Sequence, residues 1–356
     1  MIREGISRLV EGRNLTNVQA EKIMMEIMRG EATESQIASF LTALRMKGET
    51  VEEIATLAAV MRKFSRQIHP RVSGILVDTC GTGGDKVKTF NVSTIAAFVA
   101  AGAGIPVAKH GNRSITSRCG SADLLEALGF NLSTPPASVE KSIEEIGIGF
   151  MYAPVFHPAM ERVLKPRREI GVRTVFNLLG PLTNPANAQA QLLGVYDVQL
   201  TEPLAEVLSR LGVERALIVH GLDGLDEIST IGETKITQLN HGEITTSITR
   251  PSDFGLEKAD KTLLECSTLE DNVFTAFRIL RGSGVHRASA DESRLNMVLV
   301  NAAAAIYLGG GVESLKEGLE AAWKSIQTGS AYRKLKSLIK LSGGNMETLE
   351  ELENCE

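Results

Sequence analysis

The chain has 356 residues, a net charge of −5 and ordinary apolar (43%) and charged (23%) fractions, enough for a sizeable core and two domains. Aromatic residues make up only 4% and no overall basic bias exists, which argues against stacking platforms for single-stranded nucleic acid and against duplex binding. No apolar run of about 18 residues occurs, so no membrane span is expected, and the charged start MIREGISRLVEGR is unlike a signal peptide.

Residues 1–70 read as helices only. Three capping boxes recur, Thr16 with Gln19, Thr33 with Gln36 and Thr50 with Glu53. Between them apolar residues fall at helical spacing, as in Ile23, Met24, Ile27 and Met28, and Gly30 and Gly48 stand where helices would end. At Ile75-Leu76-Val77 the pattern changes to a short apolar run, expected of a strand buried on both faces. A glycine-rich loop, an Ala-rich helix from about Ser93 to Ala101 and a strand at Pro106-Val107-Ala108 follow. Further strands are expected at Leu192–Tyr196 and Ala216–Val219, with helices between. The fold class is therefore α/β: a small all-helical domain plus a larger domain with a mainly parallel β-sheet flanked by helices. Helices around 158–175 interrupt the sheet pattern and are expected to pack back on the first domain, leaving 71–341 as the discontinuous larger domain. The Glu-rich end, 342–356, reads as a solvated acidic tail. The scattered cysteines Cys80, Cys119, Cys266 and Cys355 read as free thiols of a cytoplasmic protein.

Active sites in such sheets lie beyond the carboxyl ends of the strands, where the unusual loops of this chain fall. Asp78-Thr79-Cys80-Gly81-Thr82-Gly83-Gly84-Asp85 is a phosphate-cradle composition, since three glycines let the backbone approach an anion; a plain structural turn is the alternative. It is neither a Walker A loop nor a dinucleotide fingerprint. Thr89-Phe90-Asn91-Val92-Ser93-Thr94 opens the Ala-rich helix, where unpaired N–H groups and the dipole favour anions; simple capping is the bland reading. Lys109-His110-Gly111-Asn112-Arg113-Ser114, with Ile115, Thr116, Ser117, Arg118, Gly120 and Ser121 after it, is a donor-rich loop with local positive charge. Asp226-Glu227 is a pair of hard oxygen ligands suited to Mg²⁺ bridged to a diphosphate, with Asp223 a competing ligand and a plain acidic helix start the alternative. Arg167-Arg168, with Arg173 and the stiff Asn177–Pro185 segment beyond, offers guanidinium forks for a carboxylate, unless they are merely solvated. Together these make a locally basic, phosphate-lined cleft with one acidic pair inside an acidic protein.

On these residues the chain resembles the anthranilate phosphoribosyltransferase family from about residue 1 to 340. The motifs Gly81-Thr82-Gly83-Gly84-Asp85, Asn91-Val92-Ser93-Thr94, Lys109-His110-Gly111-Asn112-Arg113 and Asn177–Pro185 stand in that family's order. The stretch from Gly282 to Arg294 follows the pattern less closely. The resemblance implies a helical domain hinged to an α/β domain, and a homodimer formed through the helical domains. It implies the donor 5-phosphoribosyl 1-pyrophosphate (PRPP), the acceptor anthranilate, and Mg²⁺ as cofactor. Gly81, Gly84, Asp85, Thr89, Asn91, Val92, Ser93, Thr94, the run from Lys109 to Ser117, and Ser121 match donor positions. Ser93, Asp226 and Glu227 match metal positions, and Gly81, His110, Asn112, Arg167 and Gly180 match the acceptor site. No catalytic base is singled out; Lys109 and Arg167 are expected to position substrates. Two rivals stay open here. One is a pyrimidine nucleoside phosphorylase on the same fold, although such enzymes carry Lys-x-Ser-Gly-Arg where this chain has Lys109 to Arg113. The other is a non-catalytic relative that binds nucleic acid, against which the net charge and the intact acidic pair argue.

Overall fold

The computed structural model describes residues 1–84, 89–114, 119–266, 268–282 and 290–355. Four helices open the chain: α1 (Ile2–Val10), α2 (Asn17–Arg29), α3 (Glu34–Lys47) and α4 (Val51–Lys63). The capping boxes at Thr16, Thr33 and Thr50 are all formed, each hydroxyl accepting from the N3 backbone while the N3 side chain returns to the cap. Glu53 also serves the tertiary fold. Its Oε1 accepts from the Leu15 N–H at 2.8 Å and its Oε2 pairs with Lys47 at 2.7 Å, so this buried carboxylate has its partners.

Seven strands form one sheet in the order β3-β2-β1-β4-β5-β6-β7. They are β1 (Val77–Gly81), β2 (Val107–Gly111), β3 (Ile148–Tyr152), β4 (Ala190–Gly194), β5 (Arg215–Gly221), β6 (Thr234–Asn240) and β7 (Glu243–Thr249). The first five run parallel. Val77 of β1 pairs with Val107 on one side and Ala190 on the other, so the strand order reverses between β1 and β4. A ligand crevice opens at such a switch point, beyond the carboxyl ends. The edge hairpin β6–β7 is antiparallel and turns through His241 and Gly242, both at positive φ (46° and 91°).

The helices that cover the sheet begin with α5 (Val92–Gly102), which is buried at nine of its eleven positions because α14 (Ala290–Leu308), α15 (Leu315–Gln327) and α16 (Ser330–Leu341) close over it. The short sequence alphabet of α5, mostly Ala and Val, permits this approach: a Cβ on Gly102 would stand 2.6 Å from the Ala331 nitrogen. The others are α6 (Ser121–Ala127), α7 (Pro136–Ile146), α8 (Ala153–Phe156), α9 (Glu161–Ile170), α10 (Phe176–Leu179), α11 (Thr201–Arg210), α12 (Lys261–Leu264) and α13 (Leu269–Arg281). One core joins α5, α13, α14 and α16 to one sheet face. A second runs from Ile23, Leu41 and Leu57 of the opening helices through Leu179 to Leu193, Leu204 and Ile218. The helical layer therefore shares its core with α11 and the sheet. Helix α9 lies against α2 and α3, with Arg162 bonded to the Met28 carbonyl and Lys165 paired with Glu34 at 2.5 Å. Among the described residues no helix is long and apolar enough to cross a membrane.

The expectation of a solvated tail over 342–356 is corrected. Residues Glu347–Cys355 form a helix, α17, with Leu349 fully buried in the main core and Met346 and Leu352 packed beside it. Glu353 accepts from Tyr332 at 2.7 Å and pairs with Lys336 at 3.0 Å. Glu347, Glu350 and Glu351 are exposed on a helix whose few apolar residues share one side, which a composition reading of so short a segment overlooks. Leu349→Ala is expected to destabilise the protein by about 2–3 kcal/mol in denaturant titration, where a truly solvated tail would show no change. Strands β3, β6 and β7 were also not anticipated. Gly149 interrupts the apolar run of β3, and its missing Cβ makes room for Ile143 of α7, which would stand 2.6 Å away.

Candidate active site

A cavity of about 900 Å³ lies at the β1/β4 switch point, and loops from both halves of the molecule line it. Beyond β1, Gly83 and Gly84 adopt φ of 66° and 81°, which a side chain would resist. The Gly83 N–H donates to Asp226 Oδ2 at 3.0 Å. The guanidinium of Arg173 donates to the Gly84 carbonyl at 2.8 Å and stacks over the Tyr196 ring at 4.1 Å, so the segment after α9 reaches across to the glycine loop.

At the start of α5, Asn91 occupies the cap position without capping its own helix. Its amide turns instead to Cys119 and to Asn272 of α13. Ser93 Oγ accepts from Lys109 Nζ at 3.3 Å, and the same ammonium donates to the Thr79 carbonyl at 2.5 Å. Lys109 is 3% exposed; burial lowers its pKa while the neighbouring Asp78 opposes that. The loop after β2 is fastened by Asp123, whose Oδ2 accepts from both the Ser114 and Gly120 N–H groups at 3.0 and 2.9 Å. Arg113 pairs with Asp123 at 2.9 Å and Glu126 at 2.7 Å.

The acidic pair sits on the turn after β5. Desolvation raises the Asp226 carboxyl above its ordinary range, and the Gly83 N–H acts against that. Asp223, the competing ligand, is engaged within its own turn: its oxygens accept from the Leu225 N–H at 3.1 Å and the Ser229 hydroxyl at 2.5 Å, and it does not line the cavity. Two features seat this turn. Asn301 of α14 takes the Ile228 N–H at 3.0 Å and donates to its carbonyl at 3.1 Å. A Cβ on Gly194 would stand 1.6 Å from the Asp226 carbonyl oxygen, so only glycine lets the turn approach β4.

On the opposite wall, Arg167 stacks over Phe176 at 5.4 Å, and no carboxylate partners it among the described residues. Burial lowers its pKa. The rings of His110 and His157 lie 5.0 Å apart, and burial holds His157 down to about 4 against the raising influence of the Thr183 backbone. Burial pushes His110 well below its ordinary value too, so both imidazoles are neutral at pH 7. A neutral buried His is stabilising above the unfolded pKa of about 6.5 and that contribution is lost as pH falls toward 4. For His157 the loss is on the order of 3 kcal/mol. His157→Gln is expected to flatten stability between pH 7 and pH 4 in denaturant titrations, and an unchanged slope would contradict the assignment. Burial likewise raises the thiols of Cys80, Cys266 and Cys119, the last to about 12, so none of these lining cysteines is a thiolate nucleophile at neutral pH.

Of the residues anticipated from sequence, Gly81, Gly84, Thr89, Asn91, Val92, Ser93, Lys109, His110, Gly111, Asn112, Arg113, Ser114, Ser121, Arg167, Gly180, Asp226 and Glu227 line this one cavity. Thr94 does not; it lies buried behind the lining, its hydroxyl without a partner among the described residues. Asp85, Ile115, Thr116, Ser117 and Arg118 lie outside the described residues, as do 283–289 of the stretch before Arg294. Arg173 was noted in the sequence only as a neighbour of Arg167, while His157, Asn272 and Asn301 were not anticipated at all. Among the described residues no group of three His, Cys, Asp or Glu side chains clusters. Two carboxylates and a hydroxyl facing an anion cradle do fit Mg²⁺, which keeps water and substrate oxygens in its shell.

Two family models match the chain: a glycosyl transferase family helical bundle domain over residues 3–65 and a glycosyl transferase family a/b domain over residues 73–332. An anthranilate phosphoribosyltransferase of Methanocorpusculum labreanum is 51% identical, over 97% of this chain and 99% of that protein. One of Persephonella marina is 48% identical, over 97% of this chain and all of that protein. Among solved structures, the anthranilate phosphoribosyltransferase of Thermus thermophilus is 41% identical and superposes with a TM-score of 0.88 over 95% of this chain and 99% of that one. The Saccharomyces cerevisiae enzyme in complex with PRPP and Mg is 30% identical, with a TM-score of 0.87 over 96% of this chain and 98% of that one. By full-length similarity, by fold and by the motifs gathered at its cleft, the chain belongs to the anthranilate phosphoribosyltransferase family.

Proposed function

We infer that the chain transfers the 5-phosphoribosyl group of PRPP to the amine of anthranilate, giving N-(5-phosphoribosyl)anthranilate and pyrophosphate, as in tryptophan synthesis. The observation that carries this reading is one cavity with a glycine cradle, a helix start and Lys109 on one wall, an acidic pair at its edge, and a carboxylate-free Arg167 on the other.

In the transfer, the bond from the anomeric carbon to pyrophosphate oxygen breaks and a bond to the acceptor nitrogen forms, with loss of one amine proton. The glycine loop, Thr89, the start of α5 and Lys109 hold the phosphates of the donor and stabilise the charge that grows on the leaving group. Asp226, Glu227 and Ser93 hold Mg²⁺, which supplies further positive charge to the pyrophosphate. Arg167, with Asn112, His110 and Gly180 beside it, orients the acceptor carboxylate so that the amine faces the anomeric carbon; such positioning supplies a large part of the rate. An aniline-type amine is neutral at pH 7, so the attack needs no strong base and none is assigned. The free thiols of Cys80, Cys119 and Cys266 fit a reducing compartment and a cytoplasmic enzyme. A homodimer formed through the helical layer, which the family resemblance implies, belongs to the same reading.

The deciding experiment mixes purified protein with PRPP, anthranilate and Mg²⁺ and follows the loss of anthranilate fluorescence. Stable fluorescence together with phosphorolysis of thymidine or uridine would replace this reading by the nucleoside phosphorylase one.

A further inference from the structure

We propose that Asn272, on α13 and 181 residues from the motif it touches, is a positioning residue of the donor site that fixes which atom of Asn91 faces the substrate. The inference rests on the donor-site reading of Asn91 given above.

The argument is one of donors and acceptors. The Asn272 Nδ2 donates to the Thr268 carbonyl at 2.9 Å, one turn earlier, which leaves Oδ1 as the atom turned toward Asn91. That oxygen accepts the Asn91 backbone N–H at 3.0 Å, an orphan donor at the start of α5. The Asn91 side chain meets the same oxygen at 3.2 Å and the Cys119 carbonyl at 3.1 Å. Both of these oxygens can only accept, so the Asn91 atom between them must be its NH₂, and both of its hydrogens are used. The amide cannot flip without setting oxygen against oxygen twice. What remains is Asn91 Oδ1, on a residue that lines the cavity, with no hydrogen bond among the described residues.

An acceptor-only atom at that place repels a phosphate oxygen and welcomes a hydroxyl. Asn91 is therefore set to read a ribose hydroxyl of the donor, while the neighbouring N–H groups and Lys109 take the phosphates. Asn272 is 3% exposed, so its own hydrogen bonds are shielded from water and hold the orientation firmly.

The test uses the full-length enzyme with saturating Mg²⁺ and four variants: Asn272→Leu, Asn272→Asp, Asn91→Ala, and Asn91→Ala combined with Asn272→Leu. Asn272→Leu removes the acceptor at similar volume and is expected to raise KM for PRPP about tenfold or more, with KM for anthranilate within about twofold. In the Asn91→Ala background the same change is expected to move the PRPP KM by less than about twofold, because the side chain it acts through is gone. Asn272→Asp keeps an oxygen facing Asn91 while giving up the donor to the Thr268 carbonyl, so it is expected to raise the PRPP KM clearly less than the leucine change does; it carries the test if the leucine variant lacks a cooperative melt. Full multiplicative losses in the double variant, equal rises of both KM values, an unmoved PRPP KM in Asn272→Leu, or an aspartate variant as poor as the leucine one would each overturn the proposal. A parent enzyme that transfers nothing to anthranilate would strike the functional reading instead, whereas an active parent with indifferent Asn272 variants strikes only this inference.

Discussion

Asp226→Ala combined with Glu227→Ala is expected to lower kcat/KM on the order of 10³-fold and to abolish the normal magnesium response, with the fold intact. Both carboxylates line the cavity at the turn after β5, and desolvation disfavours the ionised form of Asp226 in the protein alone. That carboxylate is held there against its own solvation preference, which is reasonable for a group whose task is to meet positive charge. Its partner on the glycine loop, Gly83 N–H, is accessible and can turn to water, so the cost to stability is small. Steady-state rates across a magnesium titration, with melting curves beside them, check the prediction. Turnover at the parent level would remove the acidic pair from the metal role.

Arg167→Ala is expected to raise KM for anthranilate by roughly 10- to 100-fold while the PRPP KM stays within a few-fold. The magnitude follows from charge-assisted hydrogen bonds to a carboxylate, about 1.5–3 kcal/mol. Arg167 is partly desolvated, rests against Phe176, and has no acidic neighbour among the described residues, so its charge is available to a ligand. Arg113 offers the contrast, since it is already paired to Asp123 and Glu126. Lysine at position 167 should recover only part of the loss, because it lacks the planar fork. The measurement is a matrix of initial rates with both substrates varied; an acceptor KM unmoved by the alanine change would exclude Arg167 from orienting the carboxylate.

What sequence reading could reach depended on the range of the interaction. The capping boxes at Thr16, Thr33 and Thr50 are local, and all three are present. Strands β1 and β2 were found from their apolar runs, each placed a residue or two early because the runs begin before the pairing does. The hairpin β6–β7 carried a usable sign, threonine and isoleucine alternation around His241-Gly242, that competes poorly with the apolar signal of buried strands. The lining loops were legible because each is a contiguous motif at a strand end. Asn272, Asn301 and His157 were not, since each is an ordinary residue in an ordinary helix or turn until the fold brings it against Asn91, Ile228 or His110. Nothing within a few positions of Asn272 marks it, and its partner is 181 residues away.

Gly194 has a consequence for how such a cleft can decay. The Asp226 carbonyl rests where a side chain of residue 194 would begin, 1.6 Å from the missing Cβ, and any replacement would have to push that backbone out to at least 3.0 Å. No polar group would be lost, and the packing of α5 beneath the sheet would be untouched. A descendant carrying alanine there would retain all its signature motifs, yet hold its two carboxylates at the wrong height above the glycine loop. Inheritance of the chemistry in this lineage thus depends on a gap as well as on the residues that surround it.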